Sequence, residues 1–435
     1  MKKLFLGLIC LSILVLAGCS QESSTPIPPI VNEPEPPKDI RAMSVKWEED
    51  RLFYFTDQGV YAYFPTNGET ITLKSEDVSK QYNSANFWLS PDRSKYILIN
   101  FHSFGSTLEI RDATGDASIM VLDTRKYTEG VGEFSPPVYD AGWVDNNHIY
   151  LSTGFRLFIV DIDSGEEVQV TEECSPVTTK VSGDMVAPYL DWARNVMKIG
   201  DKLYYNSTRE ANDLSYHSIY VGDQTGEREL IENAYLLLAV DDRSFVYTKT
   251  SSANSSETFL YNIETGSSSL IIDKIISEEL YILSDGKLSF MTGTISEGNY
   301  QGGIFDPVTL ELETYTVYDP DLPDRNIQGS QFRDFHGAYK QDAGYMFLYS
   351  VDKSAYNTTY YLYSTTSNEI SEISEIGGYG SLWINLKIDP SGEYVAVTKY
   401  KSGDDDFLFD IIKTDDLLGE KVRRQQIPEN TFEEG

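Results

Sequence analysis

Hydrophobic and polar positions along this chain repeat as one unit. An apolar or aromatic run of four or five residues is followed by a short polar stretch. A second apolar run comes next and ends in a turn rich in Gly, Asn or Asp. The second run is clearest at Tyr61–Phe64 before Pro65-Thr66-Asn67-Gly68 and at Leu157–Asp161 before Ile162-Asp163-Ser164-Gly165. It returns at Ile219–Val221, Phe259–Ile263, Gly303–Asp306, Tyr361–Ser364, Met120–Thr124 and Phe407–Asp410. The run before it is Leu52–Phe55, Tyr96–Ile99, His148–Leu151, Lys202–Tyr205, Ser244–Tyr247, Leu288–Met291, Tyr345–Leu348 and Tyr394–Val397. Several of these follow a tight turn, as in Ser90-Pro91-Asp92-Arg93, Val144-Asp145-Asn146-Asn147, Ser284-Asp285-Gly286-Lys287 and Asp389-Pro390-Ser391-Gly392.

Runs this short, bounded by residues that tolerate the positive φ of a reversal, are strands joined by hairpins. About eight copies at a spacing of roughly fifty residues, with no long helical period between them, predict an all-β fold. The expected architecture is a seven- or eight-bladed β-propeller of four-stranded antiparallel blades. Seven stays open because the unit at 85–138 is irregular and ring closure can borrow an N-terminal strand. Two packed sandwiches are the alternative, but unrelated sandwiches have no reason to share one strand-turn unit. Thirty tyrosines, twenty phenylalanines and five tryptophans agree with sheet, where aromatics pack well on pleated faces.

The first forty residues have another character. Lys2 and Lys3 precede an apolar stretch from Leu4 to Leu16. It is too short for an ordinary spanning helix and reads as a secretion signal. It ends Leu16-Ala17-Gly18-Cys19, which resembles the lipobox of bacterial lipoproteins. That resemblance implies cleavage before Cys19 and a diacylglycerol on its thiol. Residues 1–18 are then the signal. Residues 19–39, with Pro26-Ile27-Pro28-Pro29 and Glu33-Pro34-Glu35-Pro36-Pro37, form an acylated tether too polar and proline-rich to fold. The propeller occupies 40–435. The expected place is a cell membrane or outer envelope, lipid-anchored and facing outside the cytoplasm; both envelope types stay open. Cys174 is then the one cysteine of the folded domain, which leaves it no internal disulfide.

Thirty-five basic against sixty-eight acidic residues give a formal charge of −33. A backbone-binding nucleic-acid protein needs the opposite balance, and so does one that docks on anionic lipid. The Ser-Pro-Asp and Asp-Pro-Ser-Gly turns ahead of apolar strands, clearest at 85–99 and 382–398, resemble TolB-like and dipeptidyl-peptidase-type (WD40-like) propeller repeats. Peptidases of that wider group append an α/β-hydrolase domain, and neither that domain nor a Gly-x-Ser-x-Gly elbow is found here. The resemblance therefore implies a binding surface without a catalytic domain.

Candidate chemistry is sparse. Asp319, Asp321 and Asp324 could supply part of a Ca²⁺ shell, as could Asp404-Asp405-Asp406; otherwise no cofactor is expected. Of His102, His148, His217 and His336, the last stands in Arg333-Asp334-Phe335-His336-Gly337, read as a loop, and is the favoured functional histidine. Trp88, Trp143, Trp192 and Trp383 lie near unit starts, where aromatics either clamp a ligand or wedge blades apart. Arg156 and Arg194 are scarce cations that could orient an anionic group. The functional expectation is a membrane-anchored binding or scaffold lipoprotein that recognises an envelope protein, peptide or glycan through a propeller face. The alternative is a hydrolase or lyase acting on polysaccharide or peptide, with its site in the channel.

Overall fold

The structure is a computed structural model. It describes residues 40–418 apart from 43, 49, 57, 76–83, 103–104, 115–116, 125–137, 139, 153–155, 172–176, 182–184, 190–193, 208–217, 253–254, 275, 293–299, 320, 322–330, 355–356, 374–381 and 402–406. Among the described residues there are eight antiparallel four-stranded sheets and one two-stranded hairpin, Val177–Val181 with Met185–Tyr189. The chain is an eight-bladed β-propeller.

Blades 1 to 7 follow chain order: 44–75, 84–123, 140–169, 194–231, 234–272, 276–318 and 331–373. Blade 8 takes three strands from 382–413 and its outermost strand from Ile40–Ala42. That short strand pairs Ile40 with Phe409, Arg41 with Leu408 and Ala42 with Phe407. The ring therefore closes on the residues that follow the proline-rich stretch.

Burial explains why the repeat was legible. Middle strands of a blade are covered on both faces by neighbouring blades, so they read as continuous apolar runs. Arg51–Thr56 and Leu288–Thr292 are buried at every position. Outermost strands stand at the rim, and Ser118–Asp123, Ser267–Ile272 and Glu369–Ile373 alternate towards solvent. No single central core exists among the described residues. Apolar side chains form eight clusters, one in each seam between consecutive blades, including the seam of blades 8 and 1 around Ala42, Leu52, Tyr63 and Ala396.

The recurrent turns have one mechanism. At the end of third strands an Asp or Asn carboxylate or amide oxygen accepts the N–H groups two and three residues on. Asp161 takes those of Asp163 and Ser164, Asn262 those of Glu264 and Thr265, and Asp306 those of Val308 and Thr309. These Asx turns spare the backbone donors from going unsatisfied and hold Asp161 and Asp306 below the usual carboxylate range. In the Ser-Pro-Asp turn, Asp92 accepts from the Ser90 hydroxyl and from Ser94, which lowers it to about 2.

Blade 2 departs from the expected assignment. Its third strand is Gly105–Asp112, and Ser118–Asp123 is the fourth, so Met120–Thr124 is not a copy of the third-strand motif. Charges at Glu109 and Arg111 hid the third strand. Both are buried: Glu109 accepts from Lys74 Nζ of blade 1 at 2.8 Å and from Arg111 Nη1 at 2.7 Å. A buried ion network interrupts an apolar pattern without interrupting the strand.

Candidate functional site

First strands of neighbouring blades lie against one another and line the propeller axis. Trp88 and Trp143 lie within two of these strands, Ser84–Leu89 and Asp140–Trp143. The Trp143 ring is buried in the seam of blades 2 and 3, and its Nε1 donates to the Trp88 carbonyl at 2.9 Å. Trp47, on the first strand of blade 1 (Ser44–Glu48), donates its Nε1 to the Lys387 carbonyl of blade 8 at 3.1 Å. The indoles thus tie first strands together across blade boundaries.

Around them lies a group of charges that the sequence did not single out. Lys46 reaches from blade 1 to the Phe87 carbonyl of blade 2 at 2.6 Å. Its Nζ also pairs with Glu48 Oε1 at 2.6 Å and stands 4.6 Å from the centre of the Trp88 ring. The second Glu48 oxygen accepts the Leu89 N–H at 3.4 Å. Asp140 opens the first strand of blade 3; the backbone N–H groups of Ala141 and Val196 donate to its carboxylate, and Lys46 acts on it through space. Asp140 keeps some accessible surface, yet desolvation where blades 3 and 4 meet pushes its carboxyl up to about 6.

Tyr150, on the second strand of blade 3, feels the Asp140 charge. Its hydroxyl donates to the Val196 carbonyl of blade 4 at 3.0 Å, and burial with the nearby Asp140 and Glu48 charges drives the phenol far up. Gly142 makes this packing possible, because a Cβ there would lie 2.5 Å from Tyr150 Cε1. Blades 1, 2, 3 and 4 thus converge on one partly desolvated patch bearing Lys46, Glu48, Asp140 and the Trp88 face.

Asp140 has a measurable signature. Its folded pKa, about 6, exceeds the ordinary 3.8, so the fold favours the protonated form. Its contribution is complete below about pH 4 and is lost as pH rises through about 6. Asp140→Asn keeps an oxygen for the two N–H donors and cannot ionise. At pH 7 the variant is expected to be more stable than the parent by on the order of 1–3 kcal/mol, with no difference at pH 4. Denaturant melts across that range check this; equal curves at both pH values would refute it.

The other sequence candidates are dispersed. His336 belongs to the first strand of blade 7 (Gln331–Gln341), not to a loop, and β-bulges at Phe332/Asp334 and Phe335/Gly337 re-aim its neighbours. Its ring is buried, with Nε2 3.0 Å from Ser350 Oγ; burial and the Arg333 charge lower it to about 3, so it is neutral. Arg333 is held by Asp334, Asp352 and Thr358. Arg156 is half-buried just before the third strand of blade 3, and Arg194 and Trp383 lie on the first strands of blades 4 and 8. Asp319 Oδ1 accepts the Asp321 N–H at 2.9 Å, an Asx turn on the chain leaving blade 6. Among the described residues no group of three or more His, Cys, Asp or Glu side chains could hold a metal ion. Cys19, Cys174, Trp192, His217, Asp324 and 404–406 lie outside the described residues.

No family model and no curated protein sequence matches the chain. Among solved structures it resembles Porphyromonas gingivalis dipeptidyl peptidase 4, with a TM-score of 0.55 and 11% identity over 88% of this chain and 59% of that one. Oligopeptidase B from Leishmania major gives 0.51 and 10% over 85% of this chain and 54% of that one. The likeness is one of fold. The chain spans less than two thirds of the length of either protein.

Among the described residues no helix is long and apolar enough to cross a membrane. Among the described residues, exposed large apolar side chains fall on the outermost strands of blade 2 (Ile119, Val121) and blade 5 (Leu270), on the first strand of blade 6 (Ile282) and on the turn before its last strand (Val308, Leu310).

Proposed function

We propose that this protein is a membrane-anchored, extracytoplasmic binding lipoprotein that engages a peptide segment of an envelope partner on its channel-lining strands. One observation carries the reading: neighbouring first strands bring Lys46, Glu48, Asp140 and an aromatic face together, with one carboxyl kept above its ordinary pKa by burial. Burying polar groups costs stability, and perturbed carboxyls gather at functional sites. The fold likeness to peptidases that handle peptides favours a peptide over a glycan. The predicted acylation at Cys19 places the propeller beside the membrane surface, within reach of other envelope components.

The test is a screen of the detergent-solubilised full chain against peptide and glycan arrays, repeated with Glu48→Gln. Peptide signals that fall at least tenfold in the variant support the reading. Signals confined to glycans, or untouched by Glu48→Gln, would refute it. Cleavage of a bound peptide would instead establish the hydrolase alternative, in which Asp140 is the general acid.

A further inference from the structure

Five hairpins between the third and fourth strands of a blade close in the same way, and one of them breaks the residue pattern of the rest. In each, the N–H of the fifth residue donates to the carbonyl of the first. The pairs are Gly68 to Phe64, Gly165 to Asp161, Gly266 to Asn262, Leu310 to Asp306 and Asn368 to Ser364, at 2.8–2.9 Å. The fifth residue takes a left-handed φ of 68°, 73°, 66°, 61° and 61° in that order. Glycine meets no penalty there and asparagine a small one, which accounts for four of the five turns. Leu310 of blade 6 meets the full penalty. Among the described residues no other apolar side chain stands on a left-handed backbone.

The third position of the turn shows the same exchange. Thr66, Asp163, Glu264 and Thr366 are polar, whereas blade 6 has Val308. Val308 is 88% exposed and Leu310 49%, and neither belongs to the apolar clusters of the seams. The turn itself requires neither. Asp306 accepts the N–H groups of Val308 and Thr309, and Pro307 fixes its own φ. Strained backbone and exposed apolar surface at one tip mark a contact with something outside the fold.

We infer that the 306–311 tip of blade 6 is an interaction surface, on which Val308 and Leu310 enter an apolar pocket of a partner protein whose rim carries Lys and Arg. This goes beyond the reading above, which concerns the first strands and does not use this turn.

Charge selects this occupant. Residues 306–313 carry Asp306, Glu311 and Glu313 and no cation, and Lys287 of the same blade acts on Asp306 through space. The whole chain stands at −33. A second copy would bring the same acidic tip and the same net charge, and an anionic bilayer would repel both. A pocket rimmed by cations buries the two side chains and pairs the flanking carboxylates. The tip is also held in shape by the Asp306 bonds, the closing backbone bond and Pro307, so little order is lost on docking.

The experiment is photo-crosslinking in the native host, with p-benzoylphenylalanine placed at Thr309 of the full chain, the exposed residue between the two. The expected product is an adduct with a different protein, attached at an apolar residue that has Lys or Arg around it. Val308→Thr combined with Leu310→Gly gives the tip the residue types of blade 1. It lowers the adduct yield about tenfold and leaves the thermal melt of the purified chain unchanged or higher. Leu270→Ser removes an apolar side chain of similar exposure, 51%, from the outermost strand of blade 5 and leaves the yield unchanged. Raising sodium chloride from about 0.05 M to about 0.5 M in membrane fractions lowers the yield severalfold, because rim pairs are screened.

Other outcomes overturn the inference. An adduct between two copies of this chain makes the tip a self-association surface. Labelled lipid, or flotation of the Cys19→Ser chain with phosphatidylglycerol–phosphatidylethanolamine vesicles that the double variant abolishes, makes it a membrane contact. No adduct, or equal yields from parent and double variant, leaves the two side chains without a partner. A double variant that melts well below the parent shows that they serve the fold. A yield indifferent to salt removes the basic rim and with it the stated chemistry of the partner.

Discussion

Cys19→Ser is expected to abolish incorporation of a palmitate analogue into this protein and to free its mature form from the membrane. The reason is local and chemical. A thioether-linked diacylglycerol needs the Cys19 sulfur, and a hydroxyl at that position cannot replace it. The anchor strength comes from burying acyl methylenes at about 0.8 kcal/mol each, so losing both chains removes essentially all of it. The balance of charge does not compensate, since the whole chain's net charge of −33 repels anionic headgroups. The measurement is metabolic labelling with an alkyne fatty acid, followed by fractionation and N-terminal sequencing. A labelled variant, or a mature N-terminus at another residue, would sink the assignment of the acyl group to Cys19.

The second large effect is at the seam of blades 6 and 7. Phe347, on the second strand of blade 7 (Gly344–Ser354), is wholly buried. Its ring lies 5.9 Å from Tyr315, 6.0 Å from Phe335 and 6.2 Å from Tyr363. It presses so closely on blade 6 that a Cβ on Gly302 would fall 2.5 Å from its Cε1. Phe347→Ala removes the ring from a seam with no room to collapse, and is expected to cost about 3–5 kcal/mol in denaturant unfolding. Gly302→Ala is expected to destabilise the parent by about 1–3 kcal/mol through overpacking. The same change should be nearly neutral once Phe347 is alanine. That non-additivity is the decisive reading. A loss below about 1 kcal/mol for Phe347→Ala, or simple additivity, would mean that the seam adjusts freely.

How the sequence foretold the fold can be seen in particular strands. Leu52–Phe55 and Leu288–Met291 are apolar at nearly every position because each is sandwiched between two blades, and that pattern survives in the bare sequence. Asp161 and Asp306 announce their turns because the carboxylate caps N–H groups only two and three residues away. Gly105–Asp112 escaped notice because Glu109 and Arg111 interrupt its apolar pattern, and Glu109 is paired both with Arg111 and with Lys74, a residue of another blade. His336 was expected in a loop; it is a strand residue whose bulged backbone breaks the alternation by which strands are recognised. The candidate tryptophans were visible as residues, but their indole bonds to carbonyls of neighbouring blades were not.

The sequence by itself determined the two middle strands of most blades, several turns and the approximate number of repeats, because each depends on contacts within a few residues. It also carries a stretch that resembles an export and acylation signal, which is read as a linear motif. Tertiary structure alone decided that the ring has eight blades and that Ile40–Ala42 closes it. It alone assembled Lys46, Glu48 and Asp140 into one patch. These features are made where two blades meet, and the free energy of a seam belongs to pairs of residues far apart in the chain. No local pattern can encode which distant strand will supply the other half.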